Sequence, residues 1–441
     1  MYKRQILQNA ITNLVSFLDN IMVGQLGTEQ MSGVAIVNQL IFVYNLAIFG
    51  AVSAASIFGA QYFGKGNHKG HMYSFRFKLY ATLLVTGGAI LLFLTKGSAL
   101  ISLYLTDTVG NGATDLALQY GLEYLAIMMV GLIPFAVNQS YATNIKETGQ
   151  TFIPMLASFV AVGTNAILDY LMIFGIGPFP ELGVQGAALA TVIARYIEAL
   201  IVVIWAHIHR GKNRYLEGAY TGFGIPLAEL KAILIKGFPL MMNEVLWAAG
   251  MTTVTQCYSV RGLDVVAGLN IASTITNLFN IVYLQLGSCI SIVVGQYLGA
   301  GKLEDAKDAD NKMIVFSVFC CVIMAALMFV VGGFFPGIYN TTEEIRELAT
   351  SFIAVSAIIM PFCAFSHASY FTLRSGGKTV VTFLFDSVFT WVIVVPAAYL
   401  LAHFTGLGIV SIYFLVQGTE LIKVIIGYLM VKSNVWVVQM V

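Results

Sequence analysis

Twelve apolar runs, each long enough to cross a bilayer, constrain this chain more than any other feature of its sequence. They fall near residues 5–27, 33–60, 79–104, 119–141, 153–176, 186–208, 229–259, 265–297, 312–338, 348–372, 379–402 and 408–431. About 20 apolar residues in helix span the hydrocarbon core, where every backbone polar group must be bonded internally. The chain is therefore read as an all-α polytopic membrane protein with twelve transmembrane helices. Only 10% of its 441 residues are charged and 58% are hydrophobic, against about 25% charged in a soluble protein. Several runs exceed the required length, so tilt or extension beyond the bilayer is expected. The net charge of +1 argues against nucleic acid as a partner. Cys257, Cys289, Cys320, Cys321 and Cys363 lie in or at the ends of apolar runs, without zinc or disulfide spacing, and read as packing residues. The first run carries Asn9, Asn13 and Asp19, so it reads as an inserted helix and not as a cleavable signal peptide.

Loop charge sets the expected orientation. With the N-terminus in the cytoplasm, 18 of the 23 Lys and Arg residues fall on the cytoplasmic side, in inner loops or at the inner ends of runs, among them Arg76, Lys78 and Arg374. The outer loops hold only Arg261 and Arg346, while Lys96, Arg195 and Lys423 fall inside runs. This positive-inside asymmetry predicts both termini in the cytoplasm and an integral plasma (inner) membrane location.

The chain also repeats itself. Residues 52–67, VSAASIFGAQYFGKGN, match residues 287–302, GSCISIVVGQYLGAGK, pairing Ser53 with Ser288, Gln61 with Gln296, Tyr62 with Tyr297, Gly64 with Gly299 and Gly66 with Gly301. Pro134 pairs with Pro361 and Gly149 with Gly376; near the end of each half, Gly186 pairs with Gly408 and Glu198 with Glu420. A co-linear series of this kind predicts two six-helix bundles, related by a pseudo-two-fold along the membrane normal. The expected division is an N-terminal lobe at 1–208, a polar glycine-rich cytoplasmic linker at 209–228, and a C-terminal lobe at 229–441.

Charged groups inside the runs are the candidate functional residues, because an ionised Asp at the centre of a spanning helix costs about 2.5–3.5 kcal/mol on insertion scales. Asp19 lies well inside the first run. Asn165 and Asp169 stand four apart and share a helix face, a hard-oxygen arrangement suited to Na⁺ or H⁺. Glu244, Asp386 and His367 are further candidates for a substrate or second cation. Gln39, Asn45, Asn138, Gln139, Asn277, Asn280 and Gln285 are expected to form a polar seam. Tyr141, Met128, Met129, Met241, Met242 and Trp247 are read as an adaptable apolar wall, or as ordinary packing. Arg195 with Glu198, and Glu420 with Lys423, read as structural ion pairs three residues apart.

Enzyme motifs are missing from the sequence: no HExxH, no GxSxG and no Walker loop. Ser375-Gly-Gly-Lys378 matches S-x-x-K by chance, in a loop with no companion motif. With no ATP site legible, an ion gradient is the expected driving force and no cofactor beyond the coupling ion is expected.

The whole pattern resembles the multidrug and toxic compound extrusion (MATE) family of cation-coupled exporters, in its prokaryotic type. The resemblance rests on Asp19–Gly27 (DNIMVGQLG), the repeated Gly-Gln-Tyr-x-Gly-x-Gly ends, Thr148–Gly149 with Pro154, Arg374–Gly376, Asn165–Asp169 and Gly183–Thr191. It covers the chain from Gln8 onward. In one respect the sequence departs from the family: only eighteen residues precede Asp19, and the proline often found low in the first helix is not among them. The resemblance implies that Asp19, Asn165 and Asp169 form an N-lobe cation site, joined by Thr191, which would be the Na⁺ site if the protein is sodium-coupled. It makes Glu244 the C-lobe acid of some members. It implies an antiporter, working as a monomer in membrane lipid, that exports amphipathic organic cations, with a lipid-linked oligosaccharide flippase of the same superfamily as the alternative.

Overall fold

A computed structural model describes residues 22–23, 25–105, 111–222, 224–339 and 341–441. Almost all of the first apolar run, with Asp19, lies outside the described residues. The described elements are helices: α1 Thr28–Lys65, α2 His68–Ser102, α3 Asn111–Val130, α4 Leu132–Glu147, α5 Phe152–Ile173, α6 Val184–Ile208, α7 Leu227–Ser259, α8 Leu263–Gly299, α9 Leu303–Gly332 and α10 Glu343–Ser375. Two more, α11 Thr379–Phe404 and α12 Ile409–Lys432, complete the order. Ten of these are long and apolar enough to cross a membrane, and the bent pair α3–α4 makes an eleventh span.

That bend has a local cause. Pro134 has no N–H to give to Val130, and its ring crowds that carbonyl. Gly131 stands between them and tolerates the turn, with a Cβ built there falling 2.9 Å from Val192 Cγ2. The helices meet at 44°. The repeat partner Pro361 sits inside α10 without a break; its neighbour at the position of Gly131 is Ile358.

The chain divides into two compact units: 3–59 with 68–230, and 60–67 with 231–441. In the first unit, Val37, Tyr44, Ile48, Tyr124, Leu132, Ala187 and Ala188 form the main core between α1, α3, α4 and α6. Met128 belongs to that core, so it packs the interior and does not contribute to an adaptable wall. The segment after α6 is part of this unit and is not a loose tether. Tyr215 and Leu216 bury themselves against Phe75, Tyr141 and Ala206. Arg76, expected in a free loop, is buried and donates to the carbonyls of Gly218, Ala219 and Gly224 at 2.6–2.9 Å.

In the second unit, the repeated glycine motifs explain each other. A Cβ on Gly299 would lie 1.9 Å from the Gln61 carbonyl oxygen, and one on Gly64 would lie 1.9 Å from that of Gln296. The two helix ends therefore cross backbone against backbone, which only glycine permits. Gln61 continues the contact, donating to Ser375 O at 2.9 Å and accepting from Met440 N at 2.8 Å.

Backbone geometry corrects two pairings read from sequence. The left-handed partner of Gly149 (φ 79°) is Gly377 (φ 71°) and not Gly376; each donates its N–H to the carbonyl three residues back, Lys146 or Arg374, at 2.9 Å. Likewise Gly408 precedes the first residue of α12 as Gly183 precedes that of α6. Gly186, its expected mate, instead lets α6 approach the Met172 carbonyl, 2.6 Å from a built Cβ.

Candidate cation and substrate sites

α5 begins after the Gly149 turn, with Pro154 in its first turn, where no intrahelical N–H is required. The helix carries Asn165 and, one turn later, Asp169, which is 0% exposed. Asn165 donates from Nδ2 to Thr191 Oγ1 of α6 at 3.4 Å. Asn165 and Thr191 are thus brought together, with Asp169 sealed in the interior on the same helix. The fourth member of the expected site, Asp19, lies outside the described residues.

Other first-unit candidates scatter. Gln39 is exposed on α1. Asn138 is buried on α4, and its Oδ1 has no hydrogen-bond partner among the described residues. The Tyr141 hydroxyl is hydrogen-bonded to that of Tyr220, and its ring packs edge-on against Phe75 at 4.9 Å. Tyr141 therefore ties α4 to the segment after α6.

A buried charge cluster in this unit is not among the sequence candidates. Lys78 Nζ donates to Glu147 Oε1 at 2.5 Å and to Asn144 Oδ1. Glu147 Oε2 also meets His71 Nε2 at 3.2 Å. Lys78 and Glu147 are both 0% exposed. A Cβ on Gly59 would lie 2.1 Å from Glu147 Oε2, so α1 must offer glycine there. Sequence reading assigned Lys78 to a loop because its run starts near residue 79. The helix in fact starts eleven residues earlier, at His68. The available signal was phase: His71 and Lys78 are seven apart, on one helical face, as are Asn144 and Glu147, three apart.

Two expected ion pairs do not form. Glu198 Oε1 accepts from Ser158 Oγ at 2.5 Å, while Arg195 turns to the Gly131 carbonyl at 3.4 Å and sits over the Phe135 ring. Lys423 bonds Asp386 Oδ1 at 2.7 Å in place of Glu420. In each case a group outside the helix, on a neighbouring helix or at the Gly131 bend, is bonded in place of the neighbour three positions along.

Asp386 and Lys423 belong to a network in the second unit. Asn243 Nδ2 donates to Asp386 Oδ2 at 3.0 Å. Asn243 Oδ1 accepts from the Ser387 backbone N–H at 3.2 Å and from Ser387 Oγ at 2.7 Å. Around this intrusion α11 widens into two π-helical turns, Leu384–Val388 and Thr390–Val394, a form frequent at functional sites. Asn243 Nδ2 also reaches Tyr370 OH at 3.4 Å. Glu244 is half-buried on α7, within the electrostatic reach of Arg374 and Asp386. Arg374, expected in a loop, is buried on α10 over the Phe371 ring. His367 Nδ1 meets the Cys363 carbonyl at 2.9 Å, and its ring packs on Tyr283 at 4.6 Å. Met241 and Trp247 are exposed on α7. Among the described residues, no group of three His, Cys, Asp or Glu side chains is placed to hold a metal ion.

Two units of apolar helices of spanning length, each enclosing charged groups among its described residues, fit an integral membrane protein. The comparisons say which. The family model MatE matches residues 5–171 and again 239–400, once in each half, and the chain belongs to that family of membrane transporters. A probable multidrug resistance protein NorM of Thermotoga maritima is 23% identical over 406 residues, covering 92% of this chain and 85% of its own. A namesake from Halalkalibacterium halodurans is 24% identical, covering 89% and 84%. Among solved structures, an outward-facing multidrug resistance MATE family transporter of the MOP superfamily superposes with a TM-score of 0.88 at 19% identity, over 98% of this chain and 94% of that one. A MOP superfamily transporter from Pyrococcus furiosus matches to the same degree. These likenesses carry the fold.

Proposed function

We propose that the protein is a cation-coupled antiporter that exports amphipathic, mostly cationic organic compounds, as the names of its NorM relatives suggest for drugs. The observation that carries this reading is the complete burial of Asp169 in a spanning helix, one turn from an Asn165–Thr191 contact. Asp19 is the expected fourth member of the site. In this reading Na⁺ or H⁺ enters from outside and binds the carboxylates; the substrate leaves; the ion is then released inward. Both termini are cytoplasmic on the charge asymmetry of the loops. Exchanged one-for-one against a singly charged cationic substrate, the ion moves no net charge and its concentration gradient is the driving force; each further positive charge carried inward down 100 mV adds about 2.3 kcal/mol.

The test is efflux of a cationic dye from proteoliposomes, with an imposed Na⁺ gradient and then an imposed pH gradient. One of the two gradients should drive efflux, and Asp169→Asn should cut the driven rate by at least tenfold. Gradient-driven efflux that survives in both Asp169→Asn and Asp19→Asn would end the reading.

A further inference from the structure

The Asp386–Lys423 pair has no part in the coupling scheme above, yet it is the most completely built polar site among the described residues of the second unit. Three helices converge on it. α12 supplies the ammonium, α11 the carboxylate, and α7 the amide that holds the other carboxylate oxygen. Further oxygens gather nearby: Ser387 Oγ and Tyr370 OH, both bonded to Asn243. Glu420, one turn from Lys423, lies within its electrostatic reach, and its buried Oε1 has no hydrogen-bond partner among the described residues. Carboxylate and hydroxyl oxygens are ligands that hard cations take; Asn243 turns its amide nitrogen to the carboxylate and its oxygen to Ser387. Among the described residues, the only positive charge bonded to Asp386 is that of Lys423.

The surroundings fit a held cation better than a mobile side chain. The Lys423 side chain is 8% exposed. Its ammonium lies 5.6 Å and 5.8 Å from the centroids of the Phe385 and Phe389 rings, a cation–π distance. Gly427, one turn on, lets α12 close against Ser369 and the Phe385 ring, with a built Cβ 3.0–3.2 Å from both. The ammonium is thus held on the carboxylate beside two aromatic rings.

We propose that the Lys423 ammonium is a built-in cation: it permanently fills the cation position on Asp386, so this unit takes no free inorganic ion there. Lys423 thus determines ion stoichiometry, leaving any free-ion site to the first unit. The claim concerns the occupancy of one site and does not depend on Asp169 carrying the coupling.

The experiment uses the purified full-length protein in detergent, with the melting temperature read in NaCl against choline chloride at equal ionic strength. A bound ion stabilises the folded state by mass action. In the wild type, any rise produced by Na⁺ should persist in Asp386→Asn. In Lys423→Met the melting temperature should fall in choline. Na⁺ should then restore it by an increment on the order of 2–5 °C larger than the wild-type one, and that extra increment should vanish in Lys423→Met/Asp386→Asn. A wild-type Na⁺ increment that disappears in Asp386→Asn would show a free ion at Asp386 and overturn the proposal. So would a folded Lys423→Met protein with no extra increment, because the pair would then be an ordinary structural ion pair. If Lys423→Met does not fold, Lys423→Gln, which keeps a hydrogen-bond donor but no charge, is read by the same outcomes. Failure of Asp169→Asn to uncouple dye efflux would leave these outcomes unchanged, so the two readings fail separately.

Discussion

The α5–α6 contact of the first unit and the α11–α12 contact of the second hold different chemistry at matched positions. Ser158 and Asp386 both stand nine residues after a left-handed glycine, Gly149 or Gly377. Glu198 and Lys423 both stand fifteen residues after the glycine that precedes their helix, Gly183 or Gly408, so Lys423 and not Glu420 is the counterpart of Glu198. Each matched pair touches: Ser158 with Glu198 at 2.5 Å, Asp386 with Lys423 at 2.7 Å. The repeat thus preserves the place where adjacent helices bond and inverts its charge. A neutral donor facing an acid became an acid facing a base. A duplicated scaffold fixes where a polar contact can be made, because helix phase and the positions of the glycines are inherited with the backbone. Which charge stands there is free to diverge, so long as the buried group finds a partner.

The sharpest way to break this comparison is to remove one partner on each side. Lys423→Met strands a buried carboxylate and should cost about 3–5 kcal/mol, read as a large drop in melting temperature in Na⁺-free buffer; a loss under about 1 kcal/mol would mean the pair is solvated. Where the halves agree instead of differing, Gly299→Ala pushes a methyl into the Gln61 carbonyl. It should cost about 1–3 kcal/mol by the same measurement, and Gly64→Ala should match it, since the contact is reciprocal. Ser158→Ala, the first-unit counterpart of the lysine deletion, removes a hydrogen bond to a charged group from a half-buried acid. It should cost no more than about 1–2 kcal/mol. A loss as large as that of Lys423→Met would mean that the two contacts are energetically equivalent despite their chemistry. The smallest effect is a gain: Gly88, inside α2 with nothing within 4 Å of a built Cβ, should stabilise by about 0.5–1 kcal/mol when changed to Ala.

A second contrast concerns how charge is buried. The Lys78–Glu147–His71–Asn144 cluster is sealed completely, whereas the Asp386 side chain keeps 16% of its surface. Asp386 and Lys423 lie inside their apolar runs and were legible as charges to explain, whereas the first cluster was hidden. Lys78, Arg76 and Arg374 lie at the ends of apolar runs, and hydropathy treats such residues as loop charges. The helices run past the apolar stretch, and their charged ends fold against one another. The same extension explains why α2 begins at His68 although its apolar run begins near residue 79.

The sequence alone determined the class. Runs of about 20 apolar residues leave the backbone no option but helix in a bilayer, and repeated Gly-Gln-Tyr-x-Gly-x-Gly motifs declared two copies of one unit. It also selected Asp169 as a group to explain, because a charge within an apolar run is costly wherever it points. What tertiary structure decided was partnership. Sequence spacing offers Glu420 to Lys423 and Glu198 to Arg195, since neighbours three apart on a helix are always within reach. Hydrogen bonds need direction as well as proximity, and direction is set by the adjacent helix. The close approach that glycine allows brought Asp386 to Lys423 and Ser158 to Glu198, in contacts between residues tens of positions apart in the chain.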